Sequence, residues 1–107
     1  AAVTSIPAPE ASIAYRVQIA AGKKEVKADY FLKKYKLKDK INIEYHETWY
    51  KYTLKPHPQY KMARDQRNDL WNRGKDFDDA FVSAYNAGER ISVQEALMMI
   101  SKQKWLK

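Results

Sequence analysis

The sequence predicts an α+β fold: one antiparallel sheet of four strands with two helices on one face, followed by a further helix. Three observations predict it. Tyr15-Arg16-Val17-Gln18-Ile19 is echoed thirty-five residues later by Tyr50-Lys51-Tyr52-Thr53-Leu54, apolar and polar positions in the same order. The same offset carries Ala28 of one following helical stretch onto Ala63 of another, so two strand-then-helix units are joined. Between them, the alternating run Ile41 to Glu47 lies so close to Trp49 that only an antiparallel hairpin can connect the two.

Residues 1–13 carry small residues, two prolines and no periodicity, and read as a linker cut from a longer protein. In the first strand Tyr15, Val17 and Ile19 alternate with Arg16, Gln18 and Ala20, the period of a half-buried strand. After Gly22-Lys23-Lys24, the residues Ala28, Phe31, Leu32 and Tyr35 form one stripe of a short helix. In the second strand Ile41, Ile43 and Tyr45 face inward, and Asn42, Glu44 and His46 outward. The third strand, Trp49 to Leu54, follows a turn near Glu47 and Thr48 that lacks Asn-Gly chemistry.

Pro56 and Pro58 stop the third strand, and Pro58 suits the first turn of a helix, where its missing N–H would be unpaired anyway. Tyr60, Ala63, Arg67, Leu70 and Trp71 make that helix's stripe, and Gly74 is placed to cap it. A fourth strand runs from Asp79 to Tyr85 and ends at the turn Asn86-Ala87-Gly88. Ser92-Val93-Gln94-Glu95 fits a capping box, with Ile91 and Ala96 set for a hydrophobic staple. It opens a helix to about Lys102 whose residues Val93, Ala96, Leu97 and Ile100 dock it on the domain, so 92–107 forms a packed tail. The order βαββαβ favours the ferredoxin-like (RNP-like) split βαβ arrangement, which leaves one sheet face uncovered.

At 107 residues the chain supports one core. No run approaches the ~20 apolar residues that span a bilayer, and no membrane span is expected. Twenty basic against thirteen acidic residues give +7. Eight lysines between Lys23 and Lys40 face only Glu25, Asp29 and Asp39, which favours anionic partners or simply a solvated helix face. The absence of cysteine excludes disulfides and zinc-thiolate sites. Fourteen aromatics, eight of them tyrosine, suit half-exposed surfaces.

Catalysis has little support. Glu44, His46 and His57 lack a recognisable ligand spacing, and His46-Glu47 is not part of a His-Glu-x-x-His motif because Tyr50 stands at its last position. Asp76, Asp78 and Asp79 lack the rest of a calcium loop. Ala21-Gly22-Lys23-Lys24 lacks the second glycine and hydroxyl of a phosphate loop. No nucleophile motif is present, and neither enzyme activity, cofactor nor metal is expected. The uncovered face, with Arg16, Gln18, Trp49, Lys51, Thr53, Phe81, Ser83 and Tyr85 exposed, fits two ligands. Single-stranded RNA would stack on the aromatics and pair with the cations. A glycan would lay its C–H faces on the rings and its hydroxyls and carboxylates on the polar groups.

The segments Tyr15-Arg16-Val17-Gln18-Ile19-Ala20-Ala21-Gly22, Trp49-Tyr50-Lys51-Tyr52-Thr53-Leu54 with Tyr60-Lys61-Met62-Ala63, and Asp79-Ala80-Phe81-Val82-Ser83-Ala84-Tyr85 with Gly88-Glu89-Arg90-Ile91 together resemble a SPOR (sporulation-related repeat) domain. The resemblance covers residues 14–91. It is closest to the version in Bacteroidota envelope proteins, including the region after the catalytic domain of some N-acetylmuramoyl-L-alanine amidases. It implies a non-catalytic module in the periplasm or cell envelope whose open sheet binds peptidoglycan glycan strands, preferentially those stripped of stem peptides, alongside an upstream domain of the same protein. Gln18 matches the family's strand-one glutamine and Lys51 its basic strand-three position. Lys55-Pro56-His57 departs from the family's Gly-x-Phe. No nucleic acid is expected as partner, because the RNA-reader run of basic-Gly-aromatic-Gly/Ala-Phe-Val is absent. The alternatives are an RNP-like RNA binder and a protein-interaction module.

Overall fold

The computed structural model describes residues 12–38 and 40–106. Its strands are β1 (Ile13–Gly22), β2 (Asn42–His46), β3 (Trp49–Thr53), β4 (Phe81–Asn86) and β5 (Glu89–Ile91). Its helices are α1 (Ala28–Lys34), α2 (Tyr60–Trp71) and α3 (Val93–Leu106), with a 3-10 turn at Lys75–Phe77. The fold is α+β, and the sheet order is β2-β3-β1-β4-β5 with every neighbouring pair antiparallel. The expected linker lies outside the described residues, apart from its last two positions, of which Ile13 already belongs to β1.

The sheet has one strand more than expected, which corrects both the strand number and the identity of one edge. Ala87 and Gly88 both take positive φ, +51° and +86°, and these two residues turn the chain back so that Asn86 pairs with Glu89. Two-residue hairpin loops need that geometry because its twist matches the strands. A three-residue strand is too short to show an alternation, so only its turn was legible. The β2-β3 turn falls where expected: Glu47 and Thr48 take φ of +52° and +68°, and His46 pairs with Trp49.

The register explains the echo. Gln18 and Thr53, equivalent positions of the two copies, are cross-strand partners, and the Leu54 N–H donates to the Val17 carbonyl at 2.9 Å. The apolar halves of both copies, Tyr15, Val17, Tyr52 and Leu54, are buried with Val82 and Ala84 beneath Phe31 of α1, Ala63 and Leu70 of α2 and Ala96 of α3. Tyr15 meets the Tyr60 ring edge-on at 5.8 Å, and Phe31 meets Tyr52 at 4.5 Å. The Tyr52 hydroxyl accepts from the Val26 N–H at 2.6 Å, which satisfies its polar tip.

Some elements depart from the expected pattern. A register shift between Gln18 and Ala20 inserts an extra residue, so Ala20 stands opposite Tyr52 on the helix side rather than on the outer face. Ile43 and Tyr45 point to the helix side as expected, yet both are exposed because β2 is an edge strand. Helix α2 begins at Tyr60, two residues after Pro58, and its C-cap is Asn72 rather than Gly74. Gly74 instead takes φ +136° at the entry to the 3-10 turn. At α3 the Ser92 hydroxyl accepts from the Glu95 N–H at 3.0 Å, as the capping box requires. Its own O–H lies 3.3 Å from the Glu95 carboxylate.

Candidate ligand-binding face

The register places all eight candidate residues on the sheet face away from the buried core. Gln18 pairs with both Thr53 and Phe81, Arg16 with Ser83, and Tyr85 with Arg90; Lys51 and Trp49 continue the same face opposite Glu44 and His46. Their exposure, however, must be corrected. Gln18, Thr53, Ser83 and Tyr85 are buried, Arg16 and Lys51 are half-buried, and only Trp49 and Phe81 stand exposed.

The cause is curl. Four strand spacings of about 4.8 Å would separate β2 from β5 by roughly 19 Å in a flat sheet. Yet Arg90 of β5 donates to Glu44 of β2 at 3.0 Å. The sheet therefore bends until its two edges meet across the concave face, a bend that strand twist favours. Arg90 also donates to the Gln18 side-chain carbonyl at 2.7 Å and to the Tyr85 hydroxyl at 3.1 Å, while that hydroxyl donates to Glu44 at 2.8 Å. Beneath them, the Ser83 hydroxyl donates to the Arg16 backbone carbonyl at 2.8 Å, and the Asn42 amide reaches the Thr53 hydroxyl at 3.5 Å.

This network sets the charge of its carboxylate. Burial alone would push the Glu44 pKa up, but hydrogen bonds from Arg90 and Tyr85, with attraction to Arg90 and His46, outweigh it and hold the pKa below the ordinary value. Burial also raises the Tyr85 pKa, so its phenol stays a proton donor to Glu44 at neutral pH. Lys51 lies 2.7 Å from His46 Nδ1.

What remains open to a ligand lies beside the network. A groove of about 490 Å³ is lined by Ala14, Arg16, Asn42, Glu44, Pro56 and Tyr85, among others. On the other side, Gln18, Phe81, Asp76 and Asp79 border a second recess of about 390 Å³. Arg16 is anchored by donating to the Leu54 carbonyl at 2.9 Å, with its guanidinium 5.9 Å from the Tyr85 ring. At the hairpin end the Lys23 ammonium stacks over the Trp49 ring at 4.2 Å.

Glu44 and His46 share one face of β2, but the residues weighed for metal binding do not form a ligand set. Glu44 is engaged by Arg90 and Tyr85, whereas His57 is buried and hydrogen-bonded to Gln66 at 2.8 Å. Among the described residues no cluster of three or more His, Cys, Asp or Glu could hold a metal, and no helix is long and apolar enough to cross a membrane. Sequence reading missed Arg90, the centre of the network, because β5 was not recognised. The available signal was the Ala87-Gly88 turn followed by two charged residues and one apolar residue. No family model, curated protein or solved structure matches this chain.

Proposed function

We propose that this domain is a non-catalytic peptidoglycan-binding module of the periplasm or cell envelope. It recognises glycan strands, preferentially those lacking stem peptides, and thereby targets a larger envelope protein to the cell wall. The resemblance of its strand segments to SPOR domains supports this reading. So does a strand order compatible with a ferredoxin-like sheet to which β5 has been appended. The observation that carries the reading is the 490 Å³ groove, where the Arg16 guanidinium, the Asn42 amide and the Glu44 carboxylate lie beside the apolar surface of Ala14 and Pro56. Its volume falls in the range of small-ligand sites. Polar groups beside apolar surface suit a sugar, whose hydroxyl edges alternate with C–H faces. Stripping a stem peptide exposes the lactyl carboxylate of muramic acid and removes bulk at that point, so a groove that presents the Arg16 guanidinium while Arg90 holds Glu44 selects stripped strands by charge and by access.

Sedimentation with purified sacculi tests the reading. The domain should pellet with sacculi, and more strongly after amidase digestion; no retention, or equal retention on both, overturns it. Retention by a single-stranded oligonucleotide with steep salt dependence, and none by sacculi, would favour the RNA-binding alternative.

A further inference from the structure

We infer that the recess bounded by Arg16, Lys40, Asn42, Lys55 and Pro56 is an anion subsite that takes one carboxylate or phosphate group. It rests on the reading above only for the polymer that carries the anion. The recess has a volume of about 160 Å³. That is ample space for an oxyanion with a few waters. Among the described residues, three cations and one amide border it, and no carboxylate does. Among the described residues, none of the three cations has an ion-pair partner. Three converging positive charges repel one another, and an anion between them relieves that repulsion.

Arg16 is already oriented, since its bond to the Leu54 carbonyl fixes the guanidinium at the border between the recess and the groove. A planar, pre-positioned guanidinium loses little freedom on binding an oxyanion. The nearest described carboxylate on the groove side, Glu44, is taken by Arg90 and Tyr85 and so leaves Arg16 unneutralised. Arg16, Asn42 and Pro56 line both spaces, so a chain lying in the groove would present a pendant anion directly to the recess.

Amide-detected NMR titration of the whole chain tests the subsite at constant ionic strength. The probes are inorganic phosphate, N-acetylmuramic acid, glucose 6-phosphate and uncharged N-acetylglucosamine. Saturable shifts should centre on Asn42 and Lys55 for the anions only. Comparing the carboxylate with the sugar phosphate identifies the source the recess prefers. Both lysines are exposed, so K40Q/K55Q should keep the spectrum of the folded domain. It should weaken anion binding by about tenfold, from roughly threefold per lysine. Non-saturating shifts, or equal affinity in the double variant, overturn the subsite. If the anions saturate the recess but sacculi do not retain the wild type, the subsite stands and the glycan reading fails. If sacculi retain both proteins equally and phosphate leaves the recess unshifted, the glycan reading stands and the subsite falls.

Discussion

Strand alternation puts Gln18 on the face away from the core, where the register also has it, but Arg90 covers it there and donates to its side-chain carbonyl at 2.7 Å. Gln18→Ala should therefore destabilise by about 1 to 2 kcal/mol in urea denaturation, because a part-buried guanidinium loses an acceptor. An unchanged midpoint would show that Arg90 does not depend on it. Glu44 carries a pH signature. Its folded pKa lies below the ordinary value of 4.5, so the stability it contributes is fully present above that value and is lost as pH falls through the lower, folded one. Glu44→Gln should cost about 1 kcal/mol at pH 7. The gap from wild type should narrow as pH falls below about 4.5, and a gap that does not narrow at all under acid would refute the assignment.

At the level of elements, the two hairpins show how local chemistry can be overridden. Glu47 and Thr48 occupy positive φ without glycine, and Thr48 is β-branched, the type least suited to it. The β2-β3 pairing imposes the turn nonetheless, since His46, Tyr45 and Glu44 stay in register with Trp49, Tyr50 and Lys51. Glu47→Asn with Thr48→Gly should raise stability by about 1 kcal/mol, read as a higher denaturation midpoint. Helix α3 lies against the core through Ala96, which is fully buried, with Val93, Met99 and Ile100, whereas Leu97, expected to dock it as well, is exposed. Deleting residues 92–107 should lower the thermal midpoint by 10 °C or more, at roughly 4 to 8 °C per kcal/mol for a domain of this size. A truncated chain melting like the parent would mean that the helix only rests on the surface.

For the molecule as a whole, curvature separates stability from binding. The helix side of the sheet holds the core, and Val17→Ala should cost about 1 to 4 kcal/mol there while leaving sacculus retention intact in the protein that remains folded. Arg16→Ala should do the reverse, losing most retention for about 1 kcal/mol of stability, the worth of one hydrogen bond to a backbone carbonyl. Equal losses of both properties in both variants would show that groove and core are not separable.

The pattern of residues was enough to locate β1 to β4, three helices, the Glu47-Thr48 turn and the Ser92 cap, because each arises within one short window of periodicity or capping chemistry. It also placed Arg16, Gln18, Lys51, Thr53, Ser83 and Tyr85 on a common face, since strand parity is local. The register shift after Gln18, the return strand β5 and the burial of half that face depended on the folded sheet. Glu44 and Arg90 are forty-six residues apart. Their meeting requires a bend accumulated across five strands, and no single stretch of the chain encodes that sum.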